Sequence, residues 1–353
     1  MKIFRGLHHP GVAEGCALTI GNFDGVHRGH QAMLALLNNE ARQRGVVSCV
    51  LTFEPHPRDY FAGKLNKPEL APARVGTLRD KLCELAACGV QQVIVLPFNE
   101  KLASQPPEQF IHDVIIDGLG ARYVLVGDDF RFGAKRAGDY AMVDAAGRAH
   151  GFDVARMNSY EVHGQRVSST EVRAALDRGD LQEAARLLGR PYAISGHVVH
   201  GRKLGRQLGR SAAQGPEQDG FRTLNLRFQH WKPAASGIFA VQVHGLSDEP
   251  LPGVANLGVR PSVDPNDVNG GRVLLETHCL EWPAHLGAEG AYGKIIRVEL
   301  LHKLHDELKY DSLDALTAGI AKDCDDARAF FAASASSAST HAETRRQTTR
   351  DRI

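Results

Sequence analysis

Read for spacing alone, the first half of the chain alternates two apolar patterns. Residues 16–21 form a short apolar run closed by glycine, the mark of a buried strand. Residues 31–44 follow with Met33, Leu34, Leu37 and Ala41 at helical spacing, and residues 46–53 return to a strand. Thr77 can cap a helix that carries Leu78, Leu82, Leu85 and Ala86 on one face, and residues 90–98 read as the next strand. Ser104 and the Pro106–Pro107 pair open a helix to about residue 118. Residues 123–126, ending at Gly127, and residues 152–157 complete the strand set. Strands that alternate with helices need crossover connections, so this half predicts a parallel, Rossmann-like sheet covered on both faces. Ligands on such sheets bind beyond the carboxyl ends of the strands. That rule picks out residues 21–30, 54–60, 127–133 and 158–170 before any motif is read.

After Ser168 two short helical stretches reach about residue 189, and then the period changes. Residues 194–199, 223–228, 237–244, 273–279 and 294–301 read as strands joined by Gly/Pro-rich loops with no helix between them. Such a run predicts a small antiparallel barrel or sandwich. A helix over residues 312–331, with Leu313, Leu316, Ile320 and Ala327 on one face, closes it. From Ser334 onward Ser, Ala, Thr and Arg replace core residues, which predicts a disordered tail. The expected division is a first domain over 1–186, a second over 187–332 and a tail over 333–353.

Composition narrows the function. A chain of 353 residues with 43% hydrophobic content suits two ordinary domains. A net charge of +1 provides no overall basic field, so nucleic acid is not an expected partner. The six cysteines form no CxxC pair and read as free thiols of a reducing compartment. No run of 18 apolar residues and no apolar leader occurs, so a cytoplasmic protein with no membrane partner is expected, as a monomer or weak homo-oligomer.

The densest chemistry lies between the first strand and the first helix, Gly21-Asn22-Phe23-Asp24-Gly25-Val26-His27-Arg28-Gly29-His30. Glycines admit close backbone approach, and a helix N-terminus offers free N–H groups and partial positive charge. His27 and His30 stand three apart on one helical face. These parts suit a polyphosphate whose leaving group gathers charge. The same spacing also fits a tight turn with two surface histidines, or a metal site of Asp24, His27 and His30. Further on, Ser169 and Thr170 hydroxyls at a helix start, with Arg173 one turn later, make a second phosphate grip or an ordinary N-cap.

The ten-residue string resembles the HxGH motif of nucleotidyltransferases in the form found in bacterial FAD synthetases. Thr52-Phe53-Glu54-Pro55-His56-Pro57 resembles that family's TFxPHP loop, Gly127-Asp128-Asp129-Phe130-Arg131-Phe132-Gly133 its GxDFRFG loop, and Val167-Ser168-Ser169-Thr170-Glu171-Val172-Arg173 its SSTxIR motif. The resemblance implies FMN adenylylation by ATP. Gly21, Asn22, Phe23, Asp24, Gly25, Pro55, His56, Asp129, Phe130, Arg131, Ser169, Thr170 and Arg173 would then bind ATP or FMN, while His27 and His30 serve the departing pyrophosphate.

The second half opens with a basic, glycine-rich loop, Gly196 to Gly209, that lacks a Walker A pattern. It resembles the GxVxHGxxxGRxLG loop of riboflavin kinases, which implies Gly201, Arg206 and Gly209 as an ATP cradle. The segment Gly220-Phe221-Arg222-Thr223-Leu224-Asn225-Leu226 resembles that family's GFPTANL, with Arg222 for the proline, Leu224 for the alanine and residues 210–219 inserted before it. Thr223 and Asn225 share a strand face and offer hard oxygens, and the resemblance makes them the magnesium and ATP-phosphate ligands. Residues 254–263 resemble VANxGxRPT. Leu275-Glu276-Thr277-His278 resembles the LExH strand, which makes Glu276 the general base toward the ribityl hydroxyl. Residues 303–310 resemble KxRxExKF, with His305 for the arginine. The whole pattern, over residues 16–331, implies a bifunctional riboflavin kinase and FMN adenylyltransferase. Its substrates and products are ATP, riboflavin, FMN and FAD. An adenylyltransferase with a weakened kinase half and a flavin-binding regulator are the alternatives.

Overall fold

In a computed structural model, the structure describes residues 1–162, 164–201, 222–228, 232–259, 273–287 and 289–350, with side chains to 334. Contacts divide the chain into two units, one of Met1–Ala174 with Arg186–Gly189, the other of Ala175–Ala185 with the chain from Arg190 onward.

The first unit is built on six parallel strands: β1 (Lys2–Arg5), β2 (Cys16–Ile20), β3 (Val47–Glu54), β4 (Gln92–Pro97), β5 (Tyr123–Gly127) and β6 (Asp153–Met157). Their spatial order is β1-β4-β3-β2-β5-β6. Strand alternation sorts side chains to two faces and makes two cores. Cys16, Leu18, Leu51, Ile94, Val124 and Val126 face one core with Phe110, Ile115 and Val143. Ala17, Val50, Val93, Val95 and Leu125 face the other with Leu34 and Leu37 of helix α1 (Arg28–Arg44) and Leu85. The connections carry α2 (Pro57–Lys64), α3 (Leu78–Ala87), α4 (Glu100–Ala103), α5 (Pro107–Phe110) and α6 (Tyr140–His150). Thr77 caps α3 in a capping box with Asp80, as its sequence position predicts. The helix expected over 104–118 is shorter, because after Phe110 the backbone widens into a π-helical stretch, Ile111–Ile116. Strand β1, too polar to read from the sequence, adds a parallel edge beside β4.

A two-stranded hairpin, β7 (Glu161–Val162) with β8 (Gln165–Arg166), precedes α7 (Ser169–Asp177) and α8 (Leu181–Leu188). The second unit holds β9 (Ala193–His197), β10 (Leu224–Arg227), β11 (Gly237–His244), β12 (Leu251–Val259), β13 (Val273–Cys279) and β14 (Ile295–His305). The order β10-β13-β12-β11-β14-β9 is antiparallel throughout. A bridge between Val199 and Asn225 brings its two edges together into a nearly closed barrel. Helix α9 (Leu313–Arg350) lays Ile320, Cys324, Ala327 and Phe330 against Ala240 and Val254 of the barrel. It runs past residue 334, where the sequence predicts that order ends. No helix among the described residues is long and apolar enough to cross a membrane.

Candidate active sites

The strand order of the first unit reverses at β2, with β3 on one side and β5 on the other. Beyond such a switch point an open parallel sheet has a crevice for ligands. The loop leaving β2 turns there through three left-handed residues, Phe23 (φ 49°), Gly25 (φ 84°) and Val26 (φ 41°). Positive φ in a β-branched residue costs about 1–3 kcal/mol and persists only where packing over-determines it. Val26 is fully buried. Gly25 admits no side chain, since a Cβ would stand 2.8 Å from Val75 Cγ1.

This turn makes His27 the N-cap of α1. Its Nδ1 accepts the backbone N–H of His30 at 3.4 Å, and the two imidazoles stack with centroids 3.7 Å apart. With Nδ1 committed as acceptor, the neutral ring carries its proton on Nε2, and His27 is a donor through that atom. Phe23 also packs on His30, at 4.8 Å. Burial, reinforced by His27 and Lys81, holds His30 well below the usual histidine range, and its Nδ1 is buried without a hydrogen-bond partner. His56 repeats the arrangement at the start of α2, where its Nδ1 accepts the Arg58 N–H at 3.1 Å. Burial, and then the Arg74 guanidinium, push its pKa down to about 3. His30 and His56 thus serve as neutral hydrogen-bonding groups at neutral pH.

Beneath the loops lies a charge cluster whose central cations, Arg74 and Lys81, lie outside the sequence motifs. Arg74 is 4% exposed; its Nη1 donates to Asp59 at 2.8 Å, with Asp24 3.7 Å from Nε and Glu54 3.9 Å from Nη2. Lys81, 3% exposed, donates to Thr52 Oγ1 at 3.2 Å. Burial and Arg74 push the Lys81 pKa down to about 8. Asp24 accepts from Arg173 Nη2 at 2.8 Å and from the Val75 N–H at 3.2 Å. Burial works against its charge, but Arg74 and Arg173 outweigh that and keep its pKa below the usual value. Lys81 was legible: it lies three residues after Leu78 and four before Leu85, a lysine on an apolar face. Arg74 sits in an aperiodic stretch and left no such signal.

The remaining expected residues divide. Ser169 Oγ donates to the Asp24 carbonyl at 2.9 Å, and Arg173 Nε donates to the Ala73 carbonyl at 2.7 Å. Ser169 thus holds the β2 loop, and Arg173 ties Asp24 of that loop to the segment around residue 73. Asp24 is engaged the same way, which leaves the metal alternative without its carboxylate, and the described residues contain no cluster of three metal-ligating side chains. Gly21 lies against Phe23, where a Cβ would meet the ring at 3.1 Å, and the Asn22 carbonyl accepts from Thr52 Oγ1 at 3.4 Å. Pro55 and Thr170 are exposed. On the β5 loop Asp129 is exposed and pairs with Arg166 at 3.5 Å, while Arg131 pairs with Asp139 at 3.2 Å. Phe130 stacks on buried Phe132 with centroids 5.2 Å apart.

In the second unit, register assembles the site. Glu276 on β13 stands opposite Asn225 on β10 and Asn256 on β12, so three polar side chains line up across three strands. Asn225 is buried, and its Nδ2 donates to the Thr223 carbonyl at 3.2 Å. Gly201 lies directly over it, where a Cβ would reach Asn225 Cγ at 2.9 Å. Asn256, whose Oδ1 is buried without a hydrogen-bond partner, was not singled out from the sequence. Arg222 is anchored by its guanidinium over the Trp282 ring at 5.5 Å and by a bond to the Gly287 carbonyl at 3.3 Å, and its own carbonyl accepts from His278 Nδ1 at 2.9 Å. Arg206 and Gly209 lie outside the described residues.

Comparison with known proteins gives both halves a family. A model described as FAD synthetase matches residues 9–171, and one described as riboflavin kinase matches residues 188–331. The bifunctional riboflavin kinase/FMN adenylyltransferase of Escherichia coli (strain K12) is 44% identical over 94% of this chain and 98% of its own length. Those of Haemophilus influenzae and Pseudomonas fluorescens are 42% and 41% identical, each over 99% of its own length, covering 94% and 95% of this chain respectively. A crystal structure titled a macrolide-efflux protein, from Streptococcus pneumoniae, shares the fold with a TM-score of 0.64 at 23% identity, over 93% of this chain and 98% of that one. The chain belongs to the bifunctional riboflavin kinase/FMN adenylyltransferase family.

Proposed function

We propose that the chain makes FAD from riboflavin in two ATP-dependent steps, each in its own unit. In the second unit Glu276 accepts the proton of the ribityl hydroxyl as its oxygen attacks the γ-phosphate of ATP. Thr223 and Asn225 are oxygen donors on one strand face, a donor set that fits magnesium, and they would hold it with Gly201 keeping the space above them narrow. The metal would neutralise phosphate charge during transfer. Arg222 favours an active kinase over a weakened one, because three anchors fix the backbone leading into Thr223 without the proline's restraint.

In the first unit the nucleophile is the phosphate of FMN, ionised at neutral pH, so the adenylyl step needs no base. The departing pyrophosphate gathers charge at the N-terminus of α1. His27 donates there through Nε2, and His30 is held neutral beside it. Gly21, Asn22, Phe23, His56, Asp129, Phe130 and Arg131 complete the nucleotide and flavin contacts. The stacked pair His27–His30 on a strained turn at the switch point carries this reading. Six free cysteines fit a reducing cytoplasm.

Chromatography of products from riboflavin and ATP, and separately from FMN and ATP, tests the division. His30→Ala is expected to lower FAD formation at least about a hundredfold and leave FMN formation intact. Glu276→Gln should do the reverse. Equal loss of both activities in either folded variant contradicts the assignment.

A further inference from the structure

The first unit gathers three acids, buried Asp24 and half-buried Glu54 and Asp59, around the buried cations Arg74 and Lys81 and the half-buried Arg173. Their geometry is organised around Arg74. Its side chain is 2% exposed and reaches all three acids, at 2.8 Å to Asp59, 3.7 Å to Asp24 and 3.9 Å to Glu54. Glu54 and Asp59 bracket His56 on the β3–α2 loop, and Asp24 belongs to the turn that sets His27. The next residue, Val75, donates its N–H to Asp24 and packs under Gly25. Arg173 of α7 then binds the same Asp24 carboxylate and the carbonyl of Ala73.

We propose that Arg74 is a positioning residue for adenylyl transfer, locking residues 21–25, 54–59 and 169–173 together around the buried carboxylate of Asp24. The inference rests on the reading of this crevice as the adenylyl-transfer site. A salt bridge this deep is poor evidence of net stability, since desolvation of both charges offsets their attraction. What it fixes is relative placement: one planar guanidinium spans acids from two loops, a task a point charge performs poorly. Nε and Nη2 of Arg74, and one oxygen each of Glu54 and Asp59, are buried without hydrogen-bond partners. The cluster is therefore held by charge and shape more than by complete hydrogen bonding. Burial and the two guanidiniums set Asp24's charge, so a change at Arg74 is felt at Asp24 first.

The test measures FAD formation from FMN and ATP in the full chain for Arg74→Met, Arg74→Lys, Asp24→Asn and the double variant Arg74→Met/Asp24→Asn, with His30→Ala alongside. Misplacing reacting groups by about an ångström costs on the order of a hundredfold in rate. Arg74→Met is expected to lower kcat by about that factor while KM for ATP moves less than threefold, and Arg74→Lys to recover part of the loss. Because Arg74 acts through Asp24, the double variant should be no slower than Asp24→Asn alone. If Arg74→Met does not fold, by circular dichroism and thermal unfolding, Arg74→Lys and its double with Asp24→Asn carry the same comparison. Losses that multiply in the double variant, or a kcat unchanged in Arg74→Lys and Arg74→Met alike, overturn the proposal. Full activity in His30→Ala would instead overturn the reading of the site on which it rests.

Discussion

A histidine in water titrates near neutrality, yet His56 is 4% exposed and its pKa is pushed down to about 3. Burial acts first and the Arg74 guanidinium second, and both disfavour the imidazolium. The sign of the linkage follows. An unfolded chain takes up a proton here below about pH 6.5 while the folded chain does not, so the stability contributed at neutral pH is lost as pH falls toward the folded value. Between pH 7 and pH 5 this one group should remove about 2 kcal/mol, at 1.36 kcal/mol per pKa unit. Urea titrations at the two pH values check this, and His56→Gln should shrink the difference by a comparable amount. Such charge states were not legible beforehand. The sequence offered His27, His30 and His56 as a string of letters beside glycines, and that sufficed to locate them. The lowered pKa values of His30 and His56 come from burial first and then from cations, Lys81 beside His30 and Arg74 beside His56, that arrive from a different part of the chain. Ser169 and Arg173 carry the complementary lesson. Their residue types suited a phosphate grip or an ordinary cap, and the structure adds a contact that neither reading contained, to Asp24.

Periodicity, at the scale of elements, was readable wherever one rule governed a segment. The capped helix α3 and the buried strands β2 to β5 have uninterrupted patterns, and sequence and structure agree on them. Strand β12 was missed because Pro252, Gly253, Asn256 and Gly258 break its apolar run, although it lies inside the sheet between β13 and β11. One of those interruptions has a packing reason: a Cβ on Gly253 would stand 2.8 Å from the His278 carbonyl of the neighbouring strand. The end of β14 shows another device. His305 stands where the family's arginine does, and its ring nitrogens face two oxygens, the Asp306 carbonyl at 2.7 Å and Asp323 Oδ1 of α9 at 2.8 Å. Only the doubly protonated ring donates to both. Burial opposes that charge, but the carbonyl and Asp323 prevail and raise the pKa. The contribution is complete below the unfolded value near 6.5 and is lost as pH rises through the raised folded value. The second unit should lose about 1 kcal/mol across that window. Following the His305 ring by NMR titration and the unfolding midpoint by urea checks it. His305→Arg should abolish the dependence, and a midpoint just as pH-sensitive in that variant would disprove the link.

The whole chain is two enzymes in sequence, but the border between them is not a point. The first unit runs to Ala174, yields Ala175–Ala185 to the second, and recovers Arg186–Gly189. The short return has a purpose at the active turn. Gln31 Nε2 donates one hydrogen to the Val26 carbonyl at 2.9 Å and the other to the Leu188 carbonyl at 2.7 Å. Leu188 also stands beside Gly25, within 3.4 Å of where its Cβ would be. The strained Val26 that sets His27 is thus braced through a residue far along the chain, which local patterns could not reveal. A boundary at 186, where the sequence divides most naturally, cuts α8 before Leu188. A fragment of residues 1–189 should therefore convert FMN to FAD, whereas fragments ending at 186 or 174 should be at least about tenfold slower, the equivalent of one buried hydrogen bond lost at the turn. Leu188→Ala in the full chain separates the two supports, because it removes the side chain beside Gly25 and leaves the carbonyl that Gln31 holds. If the fragment ending at 186 matches the one ending at 189, the brace is dispensable and the strain at Val26 must be held by the packing of β2 and Val75 alone.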